Sequence, residues 1–551
     1  MNFRSFVFKL VCLVSGVLLF SLSQPSSLFS HGLAPLAFVA LLPYFLLAFS
    51  CTKKEAILWG GIYGALSYSV LVFWLFSFSR IAFCGIVILY FLFFALLTPL
   101  ISMTYRVFGN KAFFAAWILY MSYEFVKTSG FLGFSYGVIA YSQWQFLPLI
   151  RIASIFGVWA VSALLVFPSA FLAAAMMFAR DRSEEEIQSV KTLISRTGTF
   201  MVRKKFVVLG YGLVFLLSFL PFFMQQHQTG RSYRIALIQP NSDPWKNTFS
   251  SYEEDLNTLI DLSKRAMDTG KTVDMLVWPE TAFIPRIKWH YKFRSNARMY
   301  ALVDKLLTFI ETSAVSVLIG NDEALYDPAA AAGNTAPEAG RVDYNAALLF
   351  TPDTVLRPPE PQSYYKQHLV PFTEHFPYKN MFPFVYEWLS QADTHLYEAG
   401  TEATVFRWND LKISVPICFE DNFGALTRNF AKNGANILIN ISNDAWAKSE
   451  ACLLQHLSTS VFRAVETGLP MLRSTANGIT CAISPSGKIL KSIPPFAQGF
   501  LIVECEVPEK ANTTYLKIGD ALAYAFLCGG IAVIVYCLIR RFTGRKNDKE
   551  K

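Results

Sequence analysis

The chain has 551 residues, of which 53% are hydrophobic and 15% aromatic, and its mean hydropathy is +0.35. This composition excludes an ordinary soluble protein and indicates that much of the chain lies in lipid. The net charge of +9 does not favour nucleic-acid binding, because Lys and Arg cluster at the ends of apolar segments. The nine cysteines include no C-x-x-C pair and the seven histidines form no metal-binding motif, so we expect no metal site.

Apolar stretches long enough to cross a hydrocarbon core, which needs about 20 residues, occupy both ends of the chain. They span 5–23, 31–50, 57–79, 82–102, 112–127, 151–178, 205–224 and 521–540. The first stretch also fits a secretory signal peptide, but further apolar stretches follow at once and favour an uncleaved helix. The sequence therefore predicts a bundle of about eight transmembrane helices.

The loops between these stretches predict the orientation of the bundle. If every stretch crosses the membrane, most basic residues fall on one side, namely Arg4, Lys9, Lys53, Lys54, Arg106, Lys111, the block from Arg180 to Lys205 and the basic C-terminus. The positive-inside rule then places both termini in the cytoplasm. Residues 225–518 are expected outside the cytoplasmic face.

This long segment differs from its flanks in its polar turns, mixed charge and short β-rich runs, which indicate a globular domain. Predicted strands span 233–239, 274–278, 316–320, 344–350, 412–419, 435–442, 471–475, 480–484 and 500–507. Helical patterns lie between them, at 252–267, 297–312, 422–433 and 453–467. The alternation of helices with strands that are apolar on both faces predicts an α/β layered fold with covered sheets.

The chain is thus predicted to divide into three parts. Residues 1–224 form a transmembrane bundle of about seven helices, and residues 225–518 form an extracytoplasmic catalytic domain. Residues 519–551 form a C-terminal transmembrane helix with a basic cytoplasmic tail.

Glu280, Lys366 and Cys418 lie at the ends of predicted strands or in the loops that follow them. Ligands bind at the carboxyl ends of strands in open α/β sheets, so we consider the three residues together. Each has an ordinary alternative. Glu280 could place negative charge in a first helical turn, Lys366 could be a solvated lysine, and Cys418 could be a small buried residue or half of a disulfide. Taken singly, each residue favours its ordinary alternative.

Together, the three residues supply the groups that a thiol nucleophile requires. A thiol reacts as thiolate, so it needs a base to accept its proton and a positive neighbour to favour the anion. Glu280 could be the base, and Lys366 could stabilise first the thiolate and then the oxyanion of a tetrahedral intermediate. Such a nucleophile predicts a thioester, two half-reactions and ping-pong kinetics.

The sequences around these residues are "LVWPETAF", "YYKQHLVPFTE" and "ISVPICFED". They resemble, in order and spacing, the three motif blocks of the nitrilase superfamily, whose members carry a Glu-Lys-Cys triad on an α-β-β-α sandwich. With several membrane segments before the domain and one after it, the whole chain resembles the apolipoprotein N-acyltransferase family. The resemblance implies that Glu280 is the general base, Lys366 the oxyanion-stabilising cation and Cys418 the nucleophile.

The resemblance also implies supporting roles for three further residues. Glu374 matches a second family glutamate that orients the lysine, and Glu420 matches another functionally important acid. Trp245 corresponds to a tryptophan in a substrate-binding loop. For the two glutamates the ordinary alternative is a solvated or capping acid.

The reaction implied by the resemblance uses a phospholipid, typically phosphatidylethanolamine through its sn-1 chain, as acyl donor. The acceptor is the α-amine of the N-terminal diacylglyceryl-cysteine of an apolipoprotein, in the last step of bacterial lipoprotein maturation. The resemblance implies no cofactor. It also implies the bacterial inner membrane as the location, with the catalytic domain on the periplasmic side.

Two other functions are compatible with these residues. One is a membrane-tethered nitrilase or amidase that hydrolyses a C–N bond with the same triad. The other is a non-catalytic lipid-binding or transport protein, for which Glu124 and Lys127 near one helix end are the candidate intramembrane charges. The chain departs from the family pattern at Phe419, where tyrosine is common, and at "SNDAWAKS" (442–449).

Overall fold

The structure is a computed structural model. It describes residues 3–181, 190–224, 230–243, 245–246, 248–270, 272–331, 334, 336–376, 378–391, 396–444 and 448–547. The chain divides into two compact units. The helical unit comprises Met1–Gln225, Ser449–Ser458 and Lys517–Lys551, and the sandwich unit comprises Gln226–Lys448 and Thr459–Leu516.

The helical unit is built from long apolar helices joined by short helical turns. The longer helices are Phe3–Ser23, Leu42–Ser50, Lys53–Leu71, Arg80–Phe108, Ala112–Lys127, Val158–Asp181, Val190–Arg203, Lys205–Leu217 and Ala521–Asn547. Short helical turns lie at Ala34–Phe38, Leu75–Phe78, Gly109–Lys111, Ile139–Gln143, Leu147–Ile150, Ala153–Phe156 and Leu220–Phe223.

Five helical stretches within the described residues are long and apolar enough to cross a membrane, compared with the eight in the prediction. They are Phe3–Ser23, Arg80–Lys127, Val158–Arg180, Lys205–Phe223 and Ala521–Arg541. The predicted segments 82–102 and 112–127 form one continuous stretch, and the predicted segment 31–50 is divided into shorter helices. Several long apolar helices are nevertheless present, as a membrane bundle requires.

Close packing between the helices Lys53–Leu71 and Arg80–Phe108 depends on glycine. A Cβ atom at Gly60 would collide with Thr98, and one at Gly64 would collide with the carbonyl oxygen of Tyr90. Small residues four apart let two helix backbones approach, which is how apolar helices gain packing energy in lipid.

The two ionisable residues that the sequence places near a helix end are buried in the helical unit. Glu124 accepts a hydrogen bond from the Ile139 N–H at 2.9 Å. Lys127 donates to the Tyr68 hydroxyl at 2.7 Å and to the Tyr136 carbonyl at 3.4 Å. These contacts link the helix Ala112–Lys127 to the irregular segment that follows it.

The sandwich unit contains two six-stranded sheets. In chain order its strands are β1 (Arg231–Gln239), β2 (Met275–Val277), β3 (Ser316–Tyr326), β4 (Arg341–Phe350), β5 (Gln362–Tyr365), β6 (Phe406–Trp408), β7 (Leu411–Ser414), β8 (Ile437–Ser442), β9 (Met471–Thr475), β10 (Cys481–Ile483), β11 (Ile489–Ser492) and β12 (Gly499–Val507). The first sheet has the order β12-β1-β2-β3-β4-β5 and the second β11-β10-β9-β8-β7-β6. In both sheets three central strands are parallel and the outer strands are antiparallel.

Helices cover the sheets. Those of the sandwich unit are Phe249–Met267, Ile287–Phe293, Ala297–Ser313, Pro328–Ala331, Pro383–Gln391, Gly424–Lys432 and Thr514–Ile518, with 3-10 turns at Pro337–Gly340 and Cys418–Asn422. The helix Glu450–Thr467 contributes residues to both units. One apolar core joins the first sheet to the helices Phe249–Met267 and Ala297–Ser313.

The two sheets meet through Ser474 on β9. Its hydroxyl lies 3.1 Å from the carbonyl oxygens of both Ile238 and Val277, which belong to the first sheet. The predicted α/β fold with covered sheets and an α-β-β-α layering is therefore confirmed.

The predicted strand 412–419 is wrong at its C-terminal end. Strand β7 ends at Ser414, and Cys418 begins a 3-10 turn. Pro416 has no N–H to donate to the ladder, and the Asn440 side chain donates instead to the carbonyls of Pro416 (3.0 Å) and Cys418 (3.2 Å). The short strands β5, β6 and β11 are missing from the prediction because their three or four residues lack an apolar run.

Candidate active site

Glu280 lies three residues beyond β2 and is buried, with 4% of its surface exposed. Space for it comes from Gly320 on β3, because a Cβ atom at that position would lie 2.6 Å from the Cα atom of Glu280. The next helix begins only at Ile287, so the alternative of a charge in a first helical turn does not apply.

The two carboxylate oxygens of Glu280 have different partners. Oε1 accepts hydrogen bonds from the Asn345 side chain at 2.8 Å and from the Lys366 ammonium at 3.1 Å. Oε2 accepts from the Asn443 N–H at 2.9 Å. Asn345 lies on β4 and Asn443 follows β8, so this one carboxylate contacts both sheets.

Lys366 follows β5, and its side chain is completely buried. Its backbone N–H donates to the Asn345 carbonyl at 2.9 Å, and its ammonium lies between Glu280 and Glu374, 2.9 Å from Oε1 of Glu374. Burial disfavours the charge, but the two carboxylates outweigh burial and raise the pKa of Lys366 above its ordinary value. Lys366 is therefore a fixed cation and not a solvated lysine.

Glu374 is held from both sides. Its Oε2 accepts a hydrogen bond from the Val370 N–H at 2.8 Å, and its Oε1 accepts from Asn345 at 3.3 Å as well as from Lys366. The side chain is 17% exposed. The Glu374 carboxylate thus lies against the Lys366 ammonium, and its role in orienting the lysine stays a prediction.

A backbone segment after residue 396 fixes this cluster further. The Tyr397 N–H donates to the Glu374 carbonyl at 2.7 Å, and the Gly400 N–H donates to the Lys366 carbonyl at 2.8 Å. A Cβ atom at Gly400 would collide with the carbonyl oxygen of Tyr365. Glycine is needed here because the segment lies directly against the end of β5.

Cys418 has a left-handed backbone, with φ of 50°. Residues other than glycine and asparagine seldom adopt this backbone conformation, and such backbone strain is often found at functional sites. All nine cysteines lie in the described part of the chain and all are free, so the disulfide alternative for Cys418 is not realised.

Charged groups surround the thiol. Burial raises the pKa of Cys418 well above its ordinary value, and the Glu280 carboxylate raises it further, whereas the Lys366 ammonium lowers it. Glu280 and Lys366 are therefore electrostatic neighbours of the sulfur. A thiol with this pKa is protonated at neutral pH and needs a base at the moment of attack.

Glu420 is buried and joins the loop after β5 to the Cys418 turn. Its Oε1 accepts hydrogen bonds from the N–H groups of Gln367 (2.7 Å) and His368 (3.1 Å), and its Oε2 from the Ile417 N–H (2.8 Å). The Tyr364 hydroxyl donates to the same carboxylate at 2.8 Å. Burial raises the pKa of Glu420 to about 7, although the backbone donors oppose this shift.

Trp245 lies in the loop after β1, and half of its surface is exposed. Its N–H donates to the Asp243 carboxylate at 3.1 Å. Its role in substrate binding remains a prediction.

Two positions depart from the family pattern. At the first, the ring of Phe419 packs on the ring of Phe423, with 5.2 Å between the ring centroids. Of the departure at 442–449, residues 445–447 lie outside the described residues.

An apolar segment follows Glu374. Met381 and Phe384 are each 69% exposed, and Trp388 is 49% exposed. These exposures exclude domain core for these side chains.

Sequence reasoning missed several polar residues of the site. Asn345 and Tyr364 contact the catalytic candidates or their supports, and so do Asn443 and Asn440. The available signal was a polar residue inside an apolar strand, as in "YNAALLF" and "ANILINIS". A buried amide or hydroxyl in such a strand needs a partner, and here the partners are the site residues.

Two family models match separate parts of the chain. The model of the carbon-nitrogen hydrolase family matches residues 234–514, and that of the apolipoprotein N-acyltransferase N-terminal domain matches residues 15–171. Among curated relatives, apolipoprotein N-acyltransferase 1 of Treponema denticola is 41% identical over 100% of this chain and 99% of its own length. The protein of the same name from Treponema pallidum is 41% identical, covering 97% of this chain and 96% of its own length.

Solved structures similar to this chain belong to the nitrilase superfamily. An amidase from Nesterenkonia is 17% identical, with a TM-score of 0.35, and the match covers 54% of this chain and 98% of the amidase. Nit3 of Saccharomyces cerevisiae is 16% identical, with a TM-score of 0.36, and the match covers 51% of this chain and 92% of Nit3.

Proposed function

Because the chain belongs to the apolipoprotein N-acyltransferase family, we propose that Cys418 accepts an acyl chain from a phospholipid and passes it to a lipoprotein. The acceptor is the α-amine of the N-terminal diacylglyceryl-cysteine. The observation that carries this proposal is the buried Lys366 ammonium, shared between Glu280 and Glu374 beside the Cys418 thiol.

In the first half-reaction, the Cys418 sulfur attacks the ester carbonyl of the phospholipid while its proton passes to Glu280. The oxyanion that develops is stabilised by the Lys366 ammonium, which Glu374 keeps in place. The C–O bond then breaks, and the departing alkoxide takes the proton from Glu280. The products are a lysophospholipid and a thioester on Cys418.

In the second half-reaction, the lipoprotein amine attacks the thioester carbonyl and gives its proton to Glu280. The C–S bond breaks, the amide forms, and the Cys418 thiolate regains the proton. The same base and the same cation thus serve both steps, which is expected for a ping-pong transferase.

The exposed apolar side chains after Glu374 support a lipid donor. We propose that Met381, Phe384 and Trp388 contact a lipid surface, because exposed aromatic side chains favour the membrane interface. We further propose the bacterial inner membrane as the location, with the sandwich unit on the periplasmic side and both termini in the cytoplasm. The excess of Lys and Arg on one set of loops supports this orientation.

An acyl-enzyme trap tests the proposal. The full chain in detergent is incubated with labelled phosphatidylethanolamine without acceptor, and peptides are analysed by mass spectrometry. We expect the acyl mass on the peptide that contains Cys418, and its transfer to an added diacylglyceryl-cysteine peptide. Cys418→Ala should remove both signals, whereas Cys84→Ser, which changes an exposed cysteine of the helical unit, should retain them.

Two outcomes would contradict the proposal. Acyl transfer by Cys418→Ala would exclude the thioester. Rapid loss of the acyl group to water without acceptor, together with hydrolysis of small amides, would favour a nitrilase or amidase instead.

A further inference from the structure

A second buried cation lies in the second sheet, and the mechanism above does not use it. Arg473 on β9 has no exposed surface. Its Nη1 lies 2.8 Å from Oδ2 of Asp421, and its Nη2 lies 3.1 Å from Oδ2 of Asp444. One guanidinium therefore contacts two carboxylates that belong to different loops.

Hydroxyl groups complete this cluster. Ser460 contacts both Asp421 and Arg473, and the Thr459 hydroxyl lies 3.3 Å from Oδ1 of Asp421. The Ser442 hydroxyl donates to Oδ1 of Asp444 at 2.7 Å. A buried ion cluster is weak support for stability, since apolar replacements often serve as well. Its position therefore needs another reason.

The two carboxylates lie next to the catalytic candidates. Asp421 belongs to the same 3-10 turn as Cys418, three residues later. Asp444 directly follows Asn443, whose N–H holds the Glu280 carboxylate. Arg473 therefore links the turn that carries the nucleophile to the loop that holds the base.

The charges of the cluster also act on the thiol. The Asp444 carboxylate raises the pKa of Cys418, and the Arg473 guanidinium is an electrostatic neighbour of the same sulfur. Besides this pair, Glu280 and Lys366 act on the thiol, Glu374 and Glu420 lie near Lys366, and Asp421 binds Arg473. Acids outnumber cations in this set, so each cation matters for an anionic sulfur.

We propose that Arg473 is a positioning residue for the acyl transfer. Its guanidinium holds the Cys418 turn and the Asn443–Asp444 loop in fixed relation and supplies a second positive charge that favours the thiolate. The role in acyl transfer depends on the function proposed above, but the effect on the thiol can be measured without any phospholipid.

The test measures the rate at which iodoacetamide alkylates Cys418 at a fixed pH below the thiol pKa, because this rate follows the thiolate fraction. The full chain carries Cys84→Ser and Cys528→Ser, which remove the exposed cysteines, and the Cys418 peptide is quantified by mass spectrometry. We expect Asp444→Asn to accelerate alkylation and Arg473→Gln to slow it, each about tenfold, which corresponds to about one pKa unit. Arg473→Lys, which keeps the charge, should stay within about threefold of the parent.

A purely structural role predicts a different result. Loosened packing would change the rate in the same direction for Asp444→Asn and Arg473→Gln, and either that result or two unchanged rates would overturn the inference. Thermal unfolding checks that each variant is folded. If Arg473→Gln does not fold, the alkylation rates of Asp444→Asn and Arg473→Lys test the inference. Opposite shifts in a protein that fails the acyl-enzyme trap would contradict the proposed function alone.

Discussion

In the sandwich unit, each sheet is associated with a fully buried cation between two carboxylates, but the two clusters differ in chemistry. The first sheet provides Lys366 between Glu280 and Glu374, and the second provides Arg473 between Asp421 and Asp444. An ammonium is a compact charge whose donors can turn from a carboxylate to a developing oxyanion, whereas a guanidinium is a rigid fork that fixes its partners. The comparison supports our proposals that Lys366 stabilises the oxyanion and that Arg473 fixes its two partner carboxylates.

The largest expected effect tests this comparison directly. Lys366→Met should lower the rate of acyl-enzyme formation about 10²- to 10³-fold, because it removes the donor to the oxyanion. Arg473→Lys should lower the rate less, by about tenfold, because the charge remains while the fork that fixes the two carboxylates is lost. Single-turnover acylation with labelled phosphatidylethanolamine measures both. A Lys366→Met protein that acylates at the wild-type rate would contradict the proposed role.

The next test concerns Glu420, which joins the two clusters. Its pKa is raised from 4.5 to about 7. A pKa raised by folding means that the stabilising contribution is complete below pH 4.5 and is lost as the pH rises to about 7. We expect the free energy of unfolding of the wild type, relative to Glu420→Gln, to fall by ~3 kcal/mol across this range.

Chemical unfolding of the full chain in detergent at several pH values measures this difference. Glu402→Gln, a change of a surface-exposed carboxylate in the same unit, is the matched control. If the free energies of unfolding of the wild type and Glu420→Gln change in parallel with pH, the raised pKa of Glu420 is contradicted.

A smaller effect is expected from the backbone segment that supports the first cluster. Gly400→Ala should destabilise the protein by about 2 kcal/mol, because the added Cβ atom collides with the Tyr365 carbonyl and displaces the segment from Lys366. Gly499→Ala is the control, since a Cβ atom there meets no atom within 4 Å. Thermal unfolding compares the two variants, and equal midpoints would show that the segment can shift without cost.

The smallest effect concerns the contact between the sheets. Ser474→Ala should cost about 1 kcal/mol, because it leaves the carbonyls of Ile238 and Val277 without this hydroxyl donor. The hydroxyl does not contact the reacting groups. The rate of acyl-enzyme formation by the folded protein should therefore stay close to that of the wild type. A large loss of acylation at unchanged stability would mean that the contact between the sheets controls the chemistry.

Much of the fold could be predicted because burial leaves a clear pattern. Strands such as Ile437–Ser442 are apolar on both faces, and amphipathic helices such as Ala297–Ser313 follow their ordinary periodicity. The prediction failed where a contact between residues distant in sequence fixes the backbone conformation. Cys418 starts a turn and not the end of a strand, because Pro416 interrupts the ladder and Asn440 holds the turn.

The sequence by itself determined the kind of protein, namely several apolar helices and an α/β domain whose thiol, carboxylate and ammonium suit acyl transfer. Composition and motif order are local properties, so they are visible without coordinates. The tertiary structure decided which groups meet. It placed Lys366 between two glutamates and Arg473 between two aspartates, because the loops after β2, β5 and β8 meet side chains of β4 and β9 only when the two sheets stack.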